Sequence, residues 1–164
     1  MGFELLFIFR DDTLEHDSFD LLITKLQAEV DKRDLEDFSA HALELLKNPQ
    51  NLKSLPLTTP GLFYSEGYSD CGDYLKFFIV IHENKLSEIS YLYHGCDITT
   101  MVASQFVLTY TSKSIEGAKR ISSADILLEL GKFPQENFHT ILFVKKIFDS
   151  TLNQYDRTFG EKNG

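Results

Sequence analysis

Residues 71–96 read CGDYLKFFIVIHENKLSEISYLYHGC, a stretch that begins and ends with the only two cysteines of the chain. Leu75, Phe77, Ile79 and Ile81 alternate along its first half, and Ile89, Tyr91 and Tyr93 along its second. Period-two patterning of this kind marks strands with one buried face. Glu83-Asn84-Lys85 between the runs suits a short hairpin loop, because Asn accepts a left-handed backbone more readily than most residues. Matching the apolar faces sets the register. Phe77 pairs with Tyr91, Ile79 with Ile89 and Leu75 with Tyr93. Extending the ladder brings Gly72 opposite Cys96, so Cys71 and Asp73 flank the second cysteine at the open end of the hairpin.

Three readings fit two thiols and a carboxylate at that end. A disulfide is geometrically conceivable, but no secretory context favours it. The cysteines can equally be unrelated buried residues, since free Cys often behaves as a small hydrophobe. A metal site is the third reading, supported by the neighbouring carboxylate. The hairpin alone does not choose between the last two.

Outside this stretch, Leu62–Tyr68 reads as a strand that pairs with the hairpin, giving a three-stranded antiparallel sheet. Upstream, Phe19, Leu22, Leu26 and Val30 recur at helical spacing, and Leu35, Phe38, Ala42, Leu45 and Leu46 trace a second stripe ending before Asn48-Pro49. The run FELLFIF at residues 3–9 fits either a strand or a helix start. Downstream, a helix opens at Cys96-Asp97 with Asp97 as its N-cap and runs through Met101, Val102 and Phe106. Ser114 opens a short helix. Ser122 with Asp125 forms a capping arrangement for a helix ending at Gly131, and Phe138, Ile141, Leu142, Phe148 and Leu152 stripe a longer one. Strands first and helices afterwards predict an α+β domain with helices on one face of a small sheet.

The chain has 164 residues, 43% of them hydrophobic, which suits one core-forming domain rather than a disordered segment. The net charge of −9 is unevenly placed: residues 11–44 hold 11 acids and 3 bases, the remainder 14 acids and 13 bases. The expected organisation is an acidic, mostly helical extension at 1–37, a main domain at 38–155 and a tail at 156–164. Such an acidic surface disfavours nucleic acid and anionic membranes, which need positive charge at the contact. The longest apolar runs, Leu5–Phe9 and Phe77–Ile81, are far too short to span a bilayer. Glu4 stands where a signal peptide carries positive charge, so a cytoplasmic protein with reduced thiols is expected. No paired nucleophile and base stand out, which argues against an enzyme.

Cys96 has a second argument from its position. A thiol at a helix N-terminus meets unpaired N–H groups and the positive end of the dipole, which favour the metal-binding thiolate. Asp97 beside it acts in the opposite sense. His139 lies in the first turn of the last long helix.

The ordered set Asn48-Pro49-Gln50-Asn51, Cys71-Gly72-Asp73, Gly95-Cys96, Ser123-Ala124-Asp125-Ile126 and Pro134 to His139 resembles the IscU/NifU-type iron–sulfur cluster assembly scaffolds, over roughly residues 38–155. The resemblance implies that Cys71, Asp73, Cys96 and His139 hold iron, zinc or a labile [2Fe–2S] cluster. It also implies a cysteine desulfurase and cluster acceptor proteins as partners. Thr140 stands at the family's third cysteine, which is also its usual sulfur acceptor, and Asp97 replaces the usual Gly after the second. The family's chaperone-binding segment corresponds to Phe133-Pro134-Gln135-Glu136-Asn137, which keeps one Pro and no Lys and weakens the expectation of chaperone recognition. The alternative is a protein-interaction module that kept the fold and lost cluster assembly.

Overall fold

The computed structural model describes residues 18–29 and 36–160. The chain divides into two units, residues 1–37 and 38–164. In the first, residues 18–29 are helical (α1), with Phe19, Leu22 and Leu26 on an exposed face. The run at 3–9, Val30 and Leu35 lie outside the described residues.

The second unit is an α+β domain built on the expected sheet. Leu62–Tyr68 (β1), Tyr74–His82 (β2) and Lys85–His94 (β3) are antiparallel in the order β1-β2-β3. The register is the one set by the apolar alternation: Leu75 faces Tyr93, Phe77 faces Tyr91 and Ile79 faces Ile89. Leu75, Phe77, Ile79, Ile89 and Tyr91 are all fully buried. Beyond Val80 the ladder shifts, with Val80 opposite Glu88 and Ile81 opposite Leu86. The extra residue, Ser87, donates its hydroxyl to the Val80 carbonyl at 3.0 Å. This bulge shortens the expected three-residue loop by one: Lys85 pairs with His82, leaving Glu83 and Asn84 as a two-residue turn. Both have positive φ, 50° and 64°, the mirror-image turn that matches strand twist.

Among the described residues four α-helices follow: Asp97–Tyr110 (α3), Ile115–Lys119 (α4), Ser123–Leu130 (α5) and Phe138–Phe159 (α6); Ala40–Lys47 (α2) precedes the sheet. α2 starts at Ala40 because the Ser39 hydroxyl accepts from the Ala42 amide at 3.0 Å, so Phe38 precedes the helix and packs edge-on to Phe133. α5 carries the expected capping box, with reciprocal bonds between Ser122 and Asp125. α6 continues past residue 155 to Phe159.

The core lies between one face of the sheet and helices α3 and α6. The Phe77 ring packs against Phe106 and Phe148, and Phe148 lies 4.2 Å from Tyr110 between ring centroids. α6 sits directly on β1, since a Cβ on Gly67 would fall 2.7 Å from Ile147 Cδ1. Leu142 departs from the expected buried stripe of α6: it is 62% exposed, while Val144 and Ile147 share the buried face with Ile141 and Phe148. At about 100° per residue those four fall within one arc of about 120°, and Leu142 lies nearly opposite the middle of that arc. No helix among the described residues is long and apolar enough to cross a membrane.

Candidate metal centre

Two loops meet at the open end of the hairpin. Between β1 and β2 the chain turns through residues 69–73, closed by Gly72 N–H to the Ser69 carbonyl (3.0 Å) and Ser69 N–H to the Asp73 carbonyl (2.8 Å). The Asp73 amide donates to Ser69 Oγ at 3.0 Å. This turn presents Cys71 at the surface and orients the Asp73 side chain towards the end of β3. There Gly95 and Cys96 lead into α3.

Asp73 Oδ1 accepts a hydrogen bond from the Cys96 amide at 2.9 Å. It reaches that amide because residue 95 is glycine: a Cβ there would sit 2.2 Å from Asp73 Oδ1, and the backbone has φ +121°. Cys96, not Asp97, is the N-cap of α3, and it makes no side-chain cap bond. The capping acceptor comes instead from Asp73, 23 residues away in the chain and adjacent across the hairpin. Its carboxylate satisfies a donor at the helix start and meets the positive end of the dipole. The cap therefore leaves the Cys96 thiol unused and exposed. Asp97, the first helical residue, accepts from the Tyr93 hydroxyl at 3.2 Å. Burial first, and then the Asp97 carboxylate, push the Tyr93 phenol up.

His139 occupies the second position of α6. Its Nδ1 lies 2.8 Å from the Glu136 carbonyl oxygen. A carbonyl only accepts, so Nδ1 carries a proton, and in the neutral ring Nε2 is then the nitrogen with the lone pair that a metal needs. His139 and Cys71 line the same cavity, of about 290 Å³, whose walls are the 69–73 turn and the start of α6.

The four predicted ligands thus fall into two pairs. Asp73 is bonded to the Cys96 backbone, and Cys71 shares a cavity with His139. Among the described residues, no three His, Cys, Asp or Glu side chains gather closely enough to hold a metal ion. Both cysteines are free and exposed, so neither the disulfide nor the buried-hydrophobe reading describes them. Thr140 is 5% exposed and packs into the domain. Asn48-Pro49-Gln50-Asn51 runs beside the outer edge of β3: Asn51 Nδ2 donates to the Ile89 carbonyl at 3.0 Å, and the Gln50 amide donates to Ser104 Oγ at 3.0 Å. Two residues have roles that the sequence reading does not assign. Gly95 belongs to the quoted motif set, and its role was recoverable, since the same register puts it opposite Asp73. Lys146, which also lines the cavity, was recoverable from its spacing of seven from His139.

The model of the NifU-like N terminal domain matches residues 37–162. Among solved structures, a proposed iron–sulfur cluster assembly scaffold protein for the SUF system from Fervidobacterium islandicum AW-1 is 14% identical, covers 71% of this chain and 97% of its own, and superposes with a TM-score of 0.57. A hypothetical protein is 20% identical, with coverage of 70% and 95% and a TM-score of 0.54. At such identities these two structures establish a shared fold. No curated protein matches the chain in sequence. With the family model spanning the whole sheet and all the helices packed on it, the chain belongs to the NifU-like N-terminal domain family.

Proposed function

We propose that this protein is an iron–sulfur cluster assembly scaffold, a non-enzymatic carrier whose cargo is a metal ion (iron or zinc) or a labile [2Fe–2S] cluster. The observation that carries the reading is the pairing at the hairpin end, inside a domain of this family. Asp73 holds the Cys96 amide while Cys71 and His139 line one cavity. Cys71, Cys96 and His139 supply the soft and borderline donors, and the Asp73 oxygen not bonded to Cys96 supplies the fourth. Two thiolates, an imidazole and a carboxylate satisfy tetrahedral zinc. A cluster usually takes four thiolates, although His can replace Cys, so a cluster here is held weakly and passed on readily. A cysteine desulfurase as sulfur source and apo-proteins as acceptors follow from the family resemblance.

The arrangement favours loose over rigid holding, because the two pairs must approach each other around the cargo. A second reading has its own support: Asp73 already caps a helix and Thr140 is buried, which suits a protein-interaction module that kept the fold. Anaerobic incubation with iron and sulfide, followed by absorption spectra and metal analysis, separates the two. The scaffold reading expects a coloured or metal-loaded wild type and loss of that signal in Cys96→Ser. A wild type that stays colourless and metal-free overturns it in favour of the module.

A further inference from the structure

The cavity beside Cys71 extends well past His139. Along α6, His139, Leu142, Phe143 and Lys146 all line it, a spacing of three, four and seven residues that defines one helix face. Seven residues of rise carry Lys146 about 10 Å along the axis from His139. The facing wall carries Tyr68, Asp70 and Cys71. The space is therefore a slot, with an imidazole towards one end, an ammonium towards the other, a thiol on the facing wall and hydrocarbon between.

Lys146 differs from its neighbour on the helix. Lys145 is tied to Asp149, with Nζ 2.6 Å from Oδ1. Lys146 has no ion pair among the described residues. An unpaired ammonium in a slot that also holds a thiol favours a ligand with negative charge at that end. The donor set is meanwhile short of sulfur: the chain has two cysteines, and Thr140, next to His139, is buried. A sulfur-bearing ligand answers both features.

We propose that this slot binds a small thiol that carries a carboxylate, with its sulfur beside Cys71 and His139 and its carboxylate on the Lys146 ammonium. The sulfur supplies a third thiolate to the cargo; on coordination the thiol gives its proton to solvent, and nothing is oxidised or reduced. That use of the sulfur rests on the scaffold reading, whereas binding in the slot does not. Asp70 is the one acid in the lining and opposes a dianion. It also welcomes an ammonium, so a thiol of amino-acid type is the best-matched class.

The test uses full-length Cys96→Ser protein, in which Cys71 is the sole thiol and the α3 cap survives, because Asp73 bonds the backbone of residue 96. Two disulfides of equal length serve as probes, bis(2-carboxyethyl) disulfide and bis(3-hydroxypropyl) disulfide. The Cys71 thiolate attacks one sulfur of the probe, a mixed disulfide forms and the other half leaves as thiolate. Mass spectrometry follows both rates, and comparing their quotient between variants cancels the intrinsic reactivity of Cys71. A unit charge about 6 Å away in water-like surroundings is worth roughly threefold in rate. Lys146→Gln is expected to lower the carboxylate-to-hydroxyl quotient by about that factor, and Lys146→Glu, a change of two charges, by roughly tenfold. Raising the salt shrinks both effects, and Lys145→Gln leaves the quotient unchanged. A quotient unmoved by either Lys146 variant, or moved as far by Lys145→Gln, overturns the proposal. No metal enters this experiment, so a failure of the scaffold reading is read separately, as a wild type that holds no metal.

Discussion

Gly95→Ala is the most demanding perturbation of the hairpin end. The added Cβ would lie 2.2 Å from Asp73 Oδ1, 3.0 Å from its Cγ and 3.1 Å from its Cα. The backbone at φ +121° is in a region that L-residues rarely adopt, a strain of about 1–3 kcal/mol. Displacing Asp73 also removes the acceptor for the Cys96 amide, a capping loss of about 1 kcal/mol or more. Together these give about 3 kcal/mol. For a cooperative unit of about 127 residues, spanning 38–164, the unfolding entropy near the midpoint is about 0.27 kcal/mol/K, so Tm falls by about 11 °C. A double-mutant cycle isolates the steric part. In an Asp73→Ala background the carboxylate clash is gone and the cap already lost, so Gly95→Ala destabilises by about 1–2 kcal/mol less than in the wild type. Calorimetric melts of the four proteins measure it. A Gly95→Ala protein that melts within about 2 °C of the wild type, or a cycle that is strictly additive, refutes the cap.

Leu142→Ala and Phe148→Ala test the helical face of α6. Leu142 is 62% exposed and its truncation changes stability by less than about 0.5 kcal/mol. Phe148 is fully buried, and its loss costs about 3–5 kcal/mol in urea titrations. Equal effects contradict the packing described. At high pH, burial and then the bond to Glu66 push the Tyr74 phenol up to about 12. The unfolded chain loses this proton near pH 10, so the stabilisation is complete below that pH and disappears as pH rises towards 12. Burial raises Tyr91 and Tyr110 as well, so Tyr74→Phe reduces the fall in urea midpoint over this window without abolishing it. Identical pH slopes for wild type and variant rule the linkage out.

The hairpin was legible because its information is local. Alternation along Leu75–Ile81 and Ile89–Tyr93 fixes which face is buried, and a slip of one residue would turn every side chain outward. The Ser122–Asp125 capping box is equally local. The bulge at Ser87 was not legible, since a serine on the exposed rim gives no pattern that marks an extra residue. The cap of α3 was misread for a different reason. Asp97 has the right chemistry for an N-cap, but Asp73 approaches from across the sheet and moves the cap to Cys96. Leu142 was assigned to the buried stripe because residue type, without a neighbouring element, does not say where the face ends. The chemistry at the site was visible only as a list of donors. How Cys71, Asp73, Cys96 and His139 divide into two pairs depends on the 69–73 turn and on the entry of α6, both tertiary facts.

The most direct test of the scaffold account is the metal-to-protein ratio of full-length protein purified without oxygen or chelator. The account predicts bound iron or zinc in the wild type, and loss of that metal in both Cys71→Ser and Cys96→Ser while their melts stay cooperative. A wild type free of metal, or one whose metal content survives both substitutions, contradicts it.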